Sequence, residues 1–186
     1  MRRLLALALI FALAPSAASA QNTFYQNGQP APDDGSSARR NGFGALLLIT
    51  PDREAFERAW AGPTPPNLVT TDRAERGRPV FAMLIFSGCL AGSDGTCDVT
   101  AEFAILRPDG SLYGDPATAP VWNAPPAPGE NLQLSEASVG LRIEPEDPMG
   151  IWTIRVTVTD RRRNVTLVVH RPVTVETPAA AAGSTT

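Results

Sequence analysis

Residues 146–160, EDPMGIWTIRVTVTD, decide the fold. From Trp152 onward the side chains alternate. Trp152, Ile154, Val156 and Val158 point one way, while Thr153, Arg155, Thr157 and Thr159 point the other. Only an extended chain sends successive residues to opposite faces, so this is a half-buried antiparallel strand with one face on a core. The acids Glu144, Glu146 and Asp147 just upstream admit two readings. As a corner, the segment is fixed by Pro145 and Pro148, and Glu-Pro and Asp-Pro pairs turn the chain without any ion. As a calcium site, the acids need about six to eight oxygen ligands drawn from several loops, so Asp115, Glu130 or Asp160 would have to converge on them.

Working outward, DRRRN (160–164) makes a turn, and NVTLVVHRPVTVE (164–176) returns as a second alternating strand. Pro172 cannot donate to a ladder, which puts this strand at or near a sheet edge. VFAMLIF (80–86) is apolar at every position, so both of its faces must be covered. The segment 45–60 is the expected cover for the second face. Within it, GFGALLLIT reads as a buried strand, and PDREAFERAW as a short helix capped by Thr50, with Pro51 at its first position. Ala55, Phe56, Ala59 and Trp60 share one helical face, on which Phe56 and Trp60 are expected as core anchors.

CDVTAEFAILRPDG (97–110) alternates and then turns at Arg107-Pro108-Asp109-Gly110, so that SLYG is expected to return as a short strand. DPATAPVWNAPPAPGENLQ (115–133) reads as a long proline-rich loop anchored by Trp122, and a further strand is expected at Leu141–Ile143. Six or seven short strands, regular turn signals and almost no helix define an all-β, antiparallel sandwich.

The motif D-P-x-G-x-W leading into an alternating strand, a short turn and a final strand resembles the last hairpin of bacterial immunoglobulin-like extracellular domains. The R-P-D-G turn resembles their middle region, and the likeness covers residues 78–176. GFGALLLITPDREAFERAW, RPVFAMLIFSGC, RPDGSLYGD and IEPEDPMG together resemble an uncharacterised family of secreted bacterial proteins. The resemblance implies an immunoglobulin-like β-sandwich with an N-terminal strand and helix packed on it. It implies no activity.

Residues 1–20, MRRLLALALIFALAPSAASA, have the basic start, apolar run and small-residue end of a cleavable signal peptide ending at Ala20. Residues 21–41 are expected as a flexible arm, 42–176 as a single domain and 177–186 as a disordered tail. No later stretch approaches the roughly 20 apolar residues of a membrane span, so the exported protein is expected in the periplasm or the medium. The chain has 16 basic and 19 acidic residues; removing Arg2 and Arg3 with the leader leaves 14 against 19, a net charge of −5. That sign argues against a general nucleic-acid or anionic-membrane binder, both of which need a basic field.

Candidate chemistry is sparse. Cys89 and Cys97 bracket a Gly-, Ser- and Asp-rich loop and are expected to form a disulfide, since an exported chain meets oxidant. The single histidine, His170, is placed on the solvent face of the last strand, with Thr and Glu neighbours. No G-x-S-x-G, H-E-x-x-H or phosphate loop is present in the sequence, and no cofactor is expected. Arg161, Arg162 and Arg163 concentrate positive charge at a hairpin tip, either as a solvated turn that discourages edge aggregation or as a contact for an acidic partner or for the phosphate groups of lipopolysaccharide. Asn164-Val165-Thr166 matches a glycosylation acceptor only incidentally.

These readings favour a non-enzymatic periplasmic or secreted binding or accessory protein of the bacterial envelope, whose partner is another envelope or secreted protein. The alternatives are a small secreted hydrolase or a calcium-dependent module that binds carbohydrate or protein.

Overall fold

The computed structural model describes residues 34–62, 66–128 and 131–176, with the backbone of 25–26 and 29–30. The leader, most of the arm before Asp34, Glu130 and the tail lie outside the described residues. In chain order the strands are β1 (Tyr25–Gln26), β2 (Gln29–Pro30), β3 (Ser37–Arg40) and β4 (Phe43–Thr50), followed by the helix α1 (Arg53–Trp60). Then come β5 (Arg73–Glu75), β6 (Val80–Ser87), β7 (Val99–Leu106), β8 (Ala117–Trp122), β9 (Gln133–Leu141), β10 (Gly150–Asp160) and β11 (Val165–Glu176).

Two sheets form the sandwich, one in the order β5-β11-β10-β7-β8 and the other β3-β4-β6-β9. Paired strands are antiparallel except β5, which runs parallel to β11 over Thr174–Glu176. Taking β4, β6, β7, β8, β9, β10 and β11 as strands A, B, C, C′, E, F and G gives A-B-E facing G-F-C-C′, the strand order of an immunoglobulin-like fold. The protein is an all-β sandwich of that kind.

The alternation read from the sequence fills its centre. Trp152, Ile154, Val156 and Val158 are each 0% exposed and meet Leu47, Ile49, Leu84 and Phe86 of the opposite sheet. The all-apolar strand β6 divides its side chains between two layers. Ala82, Leu84 and Phe86 enter the central core, whereas Met83 and Ile85 face outward into a second cluster with Phe56. Leu46, Leu48, Trp60 and Leu68 complete that outer layer, so the segment after Ala45 covers the second face as its composition requires.

Several local expectations shift. The cap of α1 is Asp52, whose carboxylate accepts from Ala55 N at 2.9 Å; Thr50 instead ties the approach by accepting from Asp52 N. Ser37–Arg40, within the stretch read as arm, pairs along β4. The proline-rich loop contains β8, where Pro120 is tolerated because that strand has a partner only at β7. β9 spans Gln133–Leu141 and so ends where a strand was expected to begin. SLYG contributes one bridge, Leu106 to Leu112, rather than a strand.

Pro172 sits on the penultimate strand of its sheet, opposite Thr153. On the side of β11 away from β10, His170 N donates to Gly35 O and Thr174 N to Asp72 O, both at 2.8 Å. Backbone groups on one side of a strand recur every second residue, so Pro172 falls between them at a point where no donor is used.

Candidate functional site

The acidic corner is built around Asp147, which is 9% exposed. Its Oδ2 accepts from Glu144 N at 2.9 Å and from the Tyr113 hydroxyl at 3.0 Å. Its amide donates to Glu144 O at 3.1 Å, and the Arg76 guanidinium donates to its carbonyl. Tyr113 stands edge-on to Trp152 with ring centroids 5.0 Å apart, and Trp152 Nε1 donates to Pro148 O at 3.0 Å. Arg107 lies over the outer face of the Tyr113 ring. Partial burial, together with the hydrogen bond to Asp147 and the nearby charges of Asp147 and Glu144, raises the Tyr113 pKa above its ordinary value. The corner therefore couples the turn at 144–148, the loop carrying Tyr113 and the first core residue of β10.

Glu144, Glu146 and Asp115 are exposed, while Asp147 turns inward. Asp160 is separated from this corner by the whole of β10, eleven residues or roughly 35 Å of extended chain. Glu130 lies outside the described residues. Among the described residues no group of three or more His, Cys, Asp or Glu side chains could hold a metal ion.

At the opposite end the three arginines of the hairpin tip each have a partner. Arg161 N donates to Asp98 O at 2.9 Å, its guanidinium lies 3.9 Å from the Asp98 carboxylate, and Arg162 pairs with Asp94 at 3.0 Å. Arg163 donates to Asn41 O at 2.8 Å and to Gly88 O at 3.0 Å, and its Nε lies 3.7 Å from Asp160. The Asp160 carboxylate is 0% exposed and accepts from Leu90 N at 2.9 Å and Arg163 N at 3.0 Å. Cys89 and Cys97 form the disulfide that closes the loop bearing Asp94. The tip's positive charge is thus answered largely from within the chain. Of the two backbone donors to Asp160, Arg163 N belongs to the same DRRRN turn, whereas Leu90 N had no sequence signal, because it reaches Asp160 only once segments 70 residues apart converge.

His170 is exposed, on the face expected for it. Its ring lies against Gly35: a Cβ added there would come 2.1 Å from Cε1. Beside it Arg171 pairs with Asp34 at 2.8 Å, and Asp34 Oδ1 accepts from Ser36 N at 2.9 Å. Partial burial raises the Asp34 pKa, but the Ser36 hydrogen bond and the Arg171 charge outweigh it and hold the group below its ordinary value. A groove of about 400 Å³ opens beside β5, lined by Arg73, Glu75, Arg78 and Glu176. Its charges are already paired, Arg73 with Glu176 at 2.6 Å and Arg78 with Glu75 at 3.3 Å.

No family model matches this sequence, and no curated protein matches it. The chain is similar in structure to a family 123 glycoside hydrolase from Clostridium perfringens, at 13% identity and TM-score 0.38, over 72% of this chain and 27% of that one. It is also similar to the CARDB domain of a Pyrococcus furiosus protein in complex with di-metal ions, at 15% identity and TM-score 0.38, covering 78% of this chain and 99% of that one. A third similar structure is an immunoglobulin-like protein from Pseudomonas aeruginosa, at 19% identity and TM-score 0.32, covering 70% of this chain and 91% of that one. The chain spans about a quarter of the hydrolase. Likeness at this level says nothing of chemistry, and the immunoglobulin-like assignment rests on the strand order itself.

Proposed function

We propose that the protein is a non-enzymatic binding or accessory component of the bacterial envelope, exported by a leader ending at Ala20 and acting on another envelope or secreted protein. The observation that carries this reading is what the polar side chains do. Asp147, Asp160 and Arg163 are occupied in holding backbone at the two ends of the sandwich, Arg162 is paired with Asp94 of the disulfide loop, and Arg161 with Asp98 just beyond it. Asp147 and the hairpin-tip residues thus act as architecture, which supports a reading in which the protein works by surface recognition. The Cys89–Cys97 bond is compatible with an oxidising compartment. Among the described residues no helix is long and apolar enough to cross a membrane.

Crosslinking in intact cells followed by mass spectrometry tests the proposal. Recovery of an envelope or secreted protein on a surface lysine-free contact, captured through Asp and Glu chemistry, supports it. A mature protein that retains Met1 and fractionates with the cytosol would sink it.

A further inference from the structure

The two sheets differ in how their outer faces are covered. That of β4 and β6 lies under α1. The strands β11, β10, β7 and β8 make their main contacts with one another and with the facing sheet, and the register sets out the rows of their outer face. Thr118, Glu102, Thr157 and Val168 form one row, and the next runs from the buried Ala104 to the exposed Arg155 and His170. Threonines 100, 159 and 166 lie on one side of these rows, and Leu106, Thr153 and Pro172 on the other. Across these four rows Arg155 and Glu102 are the only charged side chains. Both are exposed, and neither has an ion pair among the described residues.

We infer that this face is a self-association surface on which a second copy of the chain packs about a two-fold axis. The charges carry the inference. Glu102 and Arg155 are diagonal neighbours on adjacent strands, roughly 7–8 Å apart. A two-fold axis lying in the face and bisecting the line between them sets each Arg155 opposite the partner's Glu102, so both unpaired charges are answered twice by one operation. A protein with a net negative charge does not otherwise attract its own copy, so the local complementarity decides the register. Four strands spaced by about 4.8 Å and about nine residues long give a footprint of roughly 20 by 30 Å, about 600 Å² from each partner, the size of a weak and reversible interface. Short Thr, Val and Ala side chains let two twisted sheets approach to about 10 Å, as aligned sheets do. This inference does not depend on which envelope protein is the partner.

Sedimentation velocity on the full chain from Gln21, from roughly 1 to 300 μM, tests it with charge swaps. The expected result is a monomer–dimer equilibrium in which Arg155→Glu or Glu102→Arg alone raises the dimer Kd at least about tenfold, while the double swap returns it to within about threefold. Val168→Asp, on the same face but outside the charge pair, is expected to weaken the dimer too. Circular dichroism confirms that each variant is folded, which exposed positions allow. A monomer across the whole range overturns the inference, as does a dimer indifferent to the single swaps or a double swap no better than either single one.

Discussion

The hydroxyl of Tyr113 donates to the Asp147 carboxylate at 3.0 Å, across 34 residues of sequence. That one bond joins the loop after β7 to the corner before β10, and the same carboxylate oxygen caps Glu144 N. An acid that looked like half of an ion site is the pin of a corner.

Replacing Asp147 with Ala leaves the Glu144 amide and the Tyr113 hydroxyl without their acceptor, and should cost about 2–4 kcal/mol in urea unfolding. Tyr113→Phe removes one bond and keeps the ring against Trp152, so about 1 kcal/mol is expected. Wild-type melts with calcium and with chelator should superimpose. A calcium-dependent rise in Tm that Asp147→Ala abolishes would restore the ion reading.

Tyr113 also gives the fold an alkaline limit. Its pKa is raised in the folded protein, first by burial and then by the Asp147 hydrogen bond, so folding favours the protonated phenol. The native state then holds more protons than the unfolded chain above the ordinary tyrosine pKa of 10.0. This contribution to stability is therefore fully present below pH 10 and is lost as pH rises through the folded value. Chemical denaturation from pH 8 to 12 should show this loss in wild type and a shallower one in Tyr113→Phe. Parallel pH profiles would contradict it.

The three arginines at the hairpin tip should separate by burial and not by charge. Arg163 has 28% of its side chain exposed and holds the carbonyls of Asn41 and Gly88, so Arg163→Ala should cost about 2–3 kcal/mol. Arg162 is 40% and Arg161 59% exposed, and their pairs with Asp94 and Asp98 sit in solvent. Either Ala variant should stay within about 0.5 kcal/mol of wild type. Equal losses at all three positions would mean the tip acts as a single charge cluster.

The disulfide closes a loop with a sequence separation of 8. The chain-entropy relation for so short a loop gives about 2.5 kcal/mol, so the double variant Cys89→Ser/Cys97→Ser should unfold at correspondingly lower urea. Because the loop carries Asp94 and the Leu90 amide that caps Asp160, hydrogen exchange should quicken at 90–97 and at the 160–164 turn before it does in β10. Uniform acceleration over the whole sandwich would show the bond to be global in effect.

Much of the fold was legible because β10, β11 and β7 obey a period of two and β6 breaks it in an informative way, demanding cover on both sides. β9 and β8 were harder. Gln133–Leu141 contains Ser135, Glu136, Ala137, Ser138 and Gly140, and a register shift opposite Met83 and Ile85 interrupts its alternation. Ser135 fills that irregularity by bonding Ala137 N and O. β8 carries Pro120, which argues against a strand unless the edge is known in advance. At the corner, the Pro-fixed turn was readable but its partner Tyr113 was not, since nothing local to SLYG points to Asp147. His170 was readable as solvent-facing, whereas its contact with Gly35 depends on a chain that crosses to β11 from β3.

That contact supplies the most discriminating test of how the N-terminal segment is fastened. Gly35 has φ +78° and lies under the His170 ring, where an added Cβ would be 2.1 Å from Cε1. Ala at this position therefore meets two separate penalties, a left-handed backbone costing about 1–2 kcal/mol and a collision with the ring. The ring cannot simply retreat with its own backbone, because His170 N is held by Gly35 O at 2.8 Å. Gly35→Ala should destabilise by about 3 kcal/mol in all, His170→Ala by less than about 1, and the double variant by about 1–2, since only the backbone penalty survives. A double-mutant cycle by urea unfolding reads the difference as a favourable coupling of about 1–2 kcal/mol. Strict additivity would mean that the ring does not rest on Gly35, and that Asp34 with Arg171 fastens the segment to β11.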